Sequence, residues 1–217
     1  MKFRKFRKGA VKAVDSEELE RWVPVTDTGK QVSSGEISDI DDILLTGKPI
    51  LEYQIIDKLM PDLDADMVEL RSTQRVTDNG RKNSYRAVVL VGDKKSHVGV
   101  GVGKHVEVKP AIERATKNAK RNMLKVRSGA GSWEDSKEHK NSIPFQVVGK
   151  SGSVKVTLKP APRGSGIVAN KVIRNILTFA GIKDVRSKSM GKTSNTYNLA
   201  MATIDALKNI EKFKNEN

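Results

Sequence analysis

Two strings in this 217-residue chain have the residue types that hold phosphate: Gly99-Val-Gly-Val-Gly-Lys104 and Gly191-Lys-Thr193. A P-loop works because glycines let backbone N–H groups wrap the phosphates, a lysine reaches the β- and γ-phosphates, and a Ser/Thr hydroxyl carries magnesium. In the first string Val98 stands where the leading glycine belongs, and His105 where the Ser/Thr belongs. In the second the leading position is Arg186. The dinucleotide fingerprint fails as well, since Lys104 occupies its third glycine. Neither string supports a nucleotide-binding loop.

A third stretch, Pro160-Ala-Pro-Arg-Gly-Ser-Gly166, reads as a glycine-rich turn opening a helix. Backbone N–H groups at a helix start attract anions, and Lys159, Arg163 and Lys171 would add positive charge. The turn is either a phosphate seat or a rigid lead-in, and the two are compatible. Catalytic constellations are missing. The three histidines, His97, His105 and His139, lack metal-pair spacing, and His97 reads as a surface donor or packing group. With no cysteine there is no disulfide, thiol nucleophile or cysteine-held zinc. No serine sits in a nucleophile elbow. No metal site, no cofactor and no enzymatic activity are expected.

Charge says more. The chain is +14, and the excess is uneven. Residues 1–70 hold 10 Lys and Arg against 15 Asp and Glu, whereas residues 71–127 hold 15 against four and residues 128–217 hold 15 against seven. Clustered cations gain free energy by displacing counterions from a phosphate backbone, so the basic two-thirds should carry the interaction surface. Five Phe and three Tyr are too few for a platform that stacks single-stranded bases. Shape and backbone readout of folded RNA fits better. Residues 2–12 form an arm with six cations and no acids, of the kind that orders on its partner. No apolar core follows it as in a secretion signal, and no apolar run nears the ~18–20 residues that span a bilayer. A soluble, cytoplasmic protein without a membrane partner is expected.

The elements that must position these charges follow from periodicity. Residues 15–48 are polar and acidic, a short helix or a loop. Pro49 to Leu59 has Leu51, Ile55 and Leu59 on one face and predicts a helix with proline first. Alternation through Val68, Leu70 and Ser72, followed by Asp78-Asn79-Gly80, predicts a strand and a hairpin turn. Tyr85–Val91 is the returning strand, and after Gly92-Asp-Lys-Lys95 comes a third, His97–Val102. Glycines 99, 101 and 103 strip one face of that strand, so either a packed helix or a ligand must approach its backbone. Residues 105–126 predict a helix with Ala111, Ala115, Ala119, Met123 and Val126 on one side, and Lys109, Arg114, Lys117, Lys120, Arg121 and Lys125 on the other.

Residues 127–142 read as a linker. Beyond it, Ile143–Val148 predicts a strand, Gly149–Gly152 a tight turn, and Val154, Val156 and Leu158 the partner strand. Val172, Ile173, Ile176, Leu177 and Ala180 mark a helix closed by Gly181. A short strand from Asp184 to Ser189 and a last helix through Leu199, Ala202, Ile204 and Leu207 complete the chain. The fold class is α+β, in two small domains: an extension over 1–48, a first domain over 49–127, a linker over 128–142 and a second domain over 143–217.

Seven strings, in order across roughly residues 50–210, resemble the universal small-subunit ribosomal protein five family in its archaeal–eukaryotic branch. They are Val88–Asp93, His97–Lys104, Glu107–Ile112, Ile143-Pro144, Val148–Ser153, Pro160–Gly166 and Ala180–Asp184. The resemblance implies a double-stranded-RNA-binding-like first domain of three strands and a helix, then an α+β second domain. It implies binding of small-subunit rRNA near the decoding region and the path by which mRNA enters, contact with ribosomal proteins four and eight, and influence on decoding accuracy. By the same resemblance the loop Thr77–Asn83 reaches into rRNA, with Arg75, Arg81, Lys82 and Arg86 on phosphates. The other expected RNA contacts are Arg4 and Arg7 of the arm, Lys94, Lys95 and Lys104, and Lys109, Lys117 and Arg121 of the helix. In the second domain they are Arg163, Lys171, Lys188 and Lys192. A free-standing binder of duplex RNA and an enzyme acting on a nucleotide or RNA are the competing readings; the failed phosphate-loop patterns weigh against the enzyme.

Overall fold

A computed structural model describes residues 22–131 and 140–212. The basic arm with Arg4 and Arg7, and His139 in the expected linker, lie outside the described residues. Two compact units are present. The first contains the described residues up to Val91 together with Gly101–Asn122; the second contains Gly92–Val100 and the described residues from Met123 onward.

The described part of the acidic stretch folds into helices. Helix α1 (Asp27–Ser34) is capped by Thr26, whose hydroxyl accepts from Gly29 N at 3.1 Å, and it ends on Gly35 in the left-handed region. Helix α2 (Ile40–Thr46) buries Ile40 and Ile43. Helix α3 spans Gln54–Leu59. The expected helix from Pro49 is therefore shortened at its start, and Leu51 is 61% exposed. The reason lies at Glu52. Its carboxylate accepts from Trp22 Nε1 (2.7 Å), Val25 N (3.0 Å) and Thr26 N (2.6 Å), which ties the residues before α3 to a distant segment. Burial alone would raise the Glu52 pKa; the hydrogen bonds from Thr26, Trp22 and Val25 outweigh it and lower it.

Strands β1 (Asp64–Thr77) and β2 (Gly80–Gly92) form a hairpin around Asp78-Asn79, with Gly80 at φ 110°. Both strands run further into the polar tip than alternation predicts. Strand β3 (His97–His105) follows, then helix α4 (Val108–Arg121). A Cβ on Gly101 would lie 2.2 Å from Ala115 O and Ala119 N, and one on Gly103 would lie 2.2 Å from Ala111 O. A packed helix, not a ligand, occupies the glycine-stripped face. The alanines of α4 are its counterpart: Ala111, Ala115 and Ala119 are fully buried.

The helix expected over 105–126 is corrected at its C-terminal end. It stops at Arg121, and Met123–Lys125 becomes strand β4, antiparallel to β3 with His97 opposite Lys125 and Gly99 opposite Met123. Met123 and Val126 are buried as the helical pattern predicts, but in extended chain that pairs the backbone groups of an edge otherwise unmatched. The first sheet thus has four strands, in the order β1-β2-β3-β4.

In the second unit, strands β5 (Val147–Ser151), β6 (Val154–Pro160), β7 (Ile167–Val168) and β8 (Val185–Met190) form a sheet in the order β5-β6-β8-β7. Only β7 and β8 are parallel neighbours; β5–β6 and β6–β8 are antiparallel. Helices α5 (Lys171–Phe179) and α6 (Thr196–Lys212) complete it, with α6 packed on β5 and β6. The strand expected over 143–148 begins four residues later, and the tight turn is Gly152-Ser153, not Gly149–Gly152. Gly149 is a strand residue because α6 needs its bare backbone: a Cβ there would meet Ala202 O at 2.1 Å and Ala206 N at 2.3 Å. Ile143 is buried without being in a strand. Close by in sequence, the Ser142 hydroxyl donates to Asp184 O at 2.5 Å and accepts from Ala161 N at 3.2 Å.

Candidate nucleic-acid interface

Beyond Leu70 on β1 and before Ser84 on β2, every residue of the hairpin is exposed. Even Val76 is 79% exposed, so this end of the ribbon has no apolar face to bury. Two strands alone are marginal in water. Polar staples hold these together: Thr73 Oγ1 with Ser84 Oγ at 2.7 Å, Gln74 Nε2 to Asn83 Oδ1 at 2.8 Å, and Thr77 Oγ1 to Gly80 O at 2.9 Å. Arg75, Arg81 and Lys82 are presented on this ribbon, with Asp78 the only carboxylate from 71 to 83. The arrangement spaces several exposed cations along a ribbon, the geometry that suits polyvalent contact with a polyanion.

Arg86 differs from its neighbours. It is half-buried and lies 3.6 Å from Glu69, which also pairs with Arg71 at 3.2 Å. It serves at least in part to anchor the hairpin base.

The turn between β2 and β3 is organised by one carboxylate. Asp93 accepts from Lys95 N (2.8 Å), Ser96 N (2.9 Å), His97 N (2.9 Å) and the His97 ring at Nδ1 (2.8 Å). Burial pushes its pKa up, but the hydrogen bonds from the His97 ring and from the His97, Lys95 and Ser96 backbones prevail and hold it well below the usual carboxylate range. His97 is thus a buried packing and hydrogen-bonding group. Lys94, at φ 59°, places its ammonium 5.8 Å from the Phe179 ring centroid, while Lys95 is exposed.

Not all the cations of α4 are exposed. Lys120 is 3% exposed and its ammonium is 2.5 Å from the buried Asp57 carboxylate of α3. Lys117 is half-buried with its ammonium 4.6 Å from the Tyr53 ring centroid, a cation–π contact that Lys120 extends at 5.9 Å. Lys109, Arg114 and Arg121 remain exposed, as does Lys104 at the end of β3. The sequence places Lys120 among solvated or RNA-facing cations; only the fold brings Asp57 and Tyr53 onto it.

The glycine-rich turn is also corrected. Pro160–Gly166 leads into β7, and α5 begins later at Lys171 with Asn170 as its own cap. Two of the turn's N–H groups already have acceptors, Ser165 N on Pro162 O at 3.2 Å and Gly166 N on Asp184 Oδ1 at 2.8 Å. An internal carboxylate thus accepts from the turn, which gives the turn a structural role. Arg163 and Lys171 stay exposed beside it, Lys188 projects from β8, and Lys192 lies exposed in the turn before α6. Among the described residues no group of acids and histidines could hold a metal ion, and no helix is long and apolar enough to cross a membrane.

Comparison with known proteins assigns both parts of the chain. Residues 63–127 match the family model "Ribosomal protein S5, N-terminal domain", and residues 149–216 match "Ribosomal protein S5, C-terminal domain". The chain is 48% identical over 191 residues to the small ribosomal subunit protein uS5 of Methanoregula boonei, covering 88% of this chain and 93% of that one. For the protein of the same name from Methanococcus maripaludis the identity is 49%, with 88% and 83% covered. For that of Staphylothermus marinus it is 47% over 201 residues, covering 93% and 94%. With an exposed basic hairpin, a two-sheet α+β fold, both family domains in order and near-half identity over most of its length, this chain belongs to the ribosomal protein S5 family.

Proposed function

We propose that the protein is a non-catalytic constituent of the small ribosomal subunit in the cytoplasm. It binds small-subunit rRNA near the decoding region and the path by which mRNA enters, contacts ribosomal proteins four and eight, and influences translational accuracy. Residues 49–127 serve as the double-stranded-RNA-binding-like domain and 143–217 as a second α+β domain. Residues 128–142 link them, and 1–48 form the arm and acidic extension.

The observation that carries this reading is the naked end of the β1–β2 hairpin. A ribbon with Arg75, Arg81 and Lys82 exposed, and no core of its own, is explained by a partner that surrounds it. The family membership supports the identity of that partner as rRNA. Lys94, Lys95, Lys104, Lys109 and Arg121 belong to the same reading as secondary phosphate contacts.

The experiment is sedimentation of the tagged protein from its native cytoplasm through a sucrose gradient, in moderate salt with magnesium. Co-migration with small subunits near one copy each is expected. A variant carrying Arg75→Gln, Arg81→Gln and Lys82→Gln should shift toward the top of the gradient as salt is raised. Wild-type protein found only at the top, free of rRNA, would overturn the proposal.

A further inference from the structure

The second sheet has two unlike faces. Gly149 of β5 lies under α6, so the residues that alternate with it point the other way. On that outer face the exposed cations are Lys150 of β5, Lys155 and Lys159 of β6, and Arg186 and Lys188 of β8. The inner positions of the same strands, Val147, Val154, Val156, Leu158 and Val185, are buried. The other outward positions of β5, β6 and β8 are a threonine and apolar residues; none is acidic or aromatic.

Register makes the pattern unfavourable for the fold by itself. Lys150 is directly opposite Lys155, and Lys159 directly opposite Arg186. Like charges facing each other across a strand pair destabilise it, and a face needing only solubility would mix signs. None of the five cations makes an ion pair among the described residues. With strands about 4.8 Å apart and about 3.4 Å per residue, they form a grid roughly 10 by 14 Å, the scale of a few neighbouring phosphates.

We infer that this outer sheet face is a second RNA-docking surface, separate from the hairpin, which takes the sugar–phosphate backbone of folded, double-helical RNA. An open sheet face with cations spaced along and across its strands suits a helix flank, and the lack of aromatic side chains excludes base stacking as the mode of contact. This deepens the proposed function and rests on it.

The test uses the full-length chain and full-length small-subunit rRNA of the same source, transcribed in vitro. One variant carries Lys155→Gln, Lys159→Gln and Lys188→Gln; a control removes equal charge elsewhere, with Lys30→Gln, Lys48→Gln and Lys183→Gln. Binding is followed against salt, and hydroxyl-radical footprints are compared with those of the hairpin variant. The sheet variant should reduce the log–log salt slope by about 2–3, as three lost phosphate contacts require, while the control leaves it near wild type. It should lose protection in one rRNA segment that the hairpin variant retains, and Lys→Arg at the same three positions should restore it. A wild-type slope and footprint for the sheet variant, or an equal drop in the control, would refute the inference while leaving the hairpin reading standing. Failure of the wild-type chain to bind rRNA at all would overturn both.

Discussion

The β1–β2 hairpin and helix α4 are both rich in lysine and arginine, yet the structure uses them in opposite ways. The hairpin displays Arg75, Arg81 and Lys82 with little around them, whereas α4 turns Lys120 inward onto Asp57 and rests Lys117 against Tyr53. The difference comes from what the rest of the chain lays over each element. Helix α3 and the residues before it cover part of α4; among the described residues nothing lies over the end of the hairpin. A cation's role is therefore set by its cover, and charge counts along the sequence overstate the surface available to RNA.

The comparison breaks first at Asp57. Asp57→Asn leaves a buried ammonium without its counter-charge and should cost about 3–5 kcal/mol of stability in urea unfolding. Asp57→Leu combined with Lys120→Met should recover most of that, since packed apolar pairs replace buried ion pairs well. A small loss for Asp57→Asn would mean Lys120 reaches water and belongs with the hairpin cations after all.

Next comes the glycine seam that docks α4. Gly101→Ala drives a Cβ into the α4 backbone and should lower stability by about 3 kcal/mol, read as a drop in the urea midpoint. The hairpin counterpart, Gly80→Ala, meets nothing within 4 Å and should cost only about 1 kcal/mol, from its positive φ. Equal losses would show that the seam is looser than the geometry requires.

Asp93→Asn weakens the acceptor for three backbone N–H groups and for the His97 ring, and should cost about 2 kcal/mol near neutral pH. The pH dependence has a definite sign. The folded pKa is depressed, so the Asp93 contribution is present above the unfolded carboxylate pKa, near 4, and is lost as pH falls below it toward the folded value. The mutant should therefore show a flatter loss of stability than wild type between about pH 4 and 2, measured by circular dichroism.

The smallest stability effect belongs to the hairpin. Arg75→Gln with Arg81→Gln and Lys82→Gln should change the unfolding free energy by no more than about 0.5 kcal/mol per site. The same three changes should lower the salt slope of rRNA binding by about 2–3. Stability carried by α4 and binding carried by the hairpin would then be separable by mutation.

Much of the architecture follows from local rules that any reader of the chain can apply. The turn at Asp78-Asn79-Gly80, the buried strand Tyr85–Val91, the alanine stripe of α4 and the alternation of Val154, Val156 and Leu158 are all legible, because each reports a period or a turn chemistry. So is the placement of Arg75, Arg81 and Lys82 beside a hairpin turn, and family membership. What misleads is ambiguity between periods. Met123 and Val126 continue the helical stripe, yet they are extended because β3 has an edge to be paired. Gly149 resembles a turn residue, yet it lies mid-strand because α6 approaches there.

The sequence by itself determined the fold class, the uneven and strongly basic charge of the chain and the absence of a recognisable nucleotide loop, since these depend on composition and short-range spacing. Only the tertiary structure decided that glycines 101 and 103 face a helix, that Asp184 occupies the Pro160–Gly166 turn, and that Lys120 is spent on Asp57. It alone aligned Lys150, Lys155, Lys159, Arg186 and Lys188 on one sheet face. Those outcomes join residues 8 to 63 positions apart, or depend on strand register, and no local pattern encodes which distant group will arrive to cover a charge or fill a turn.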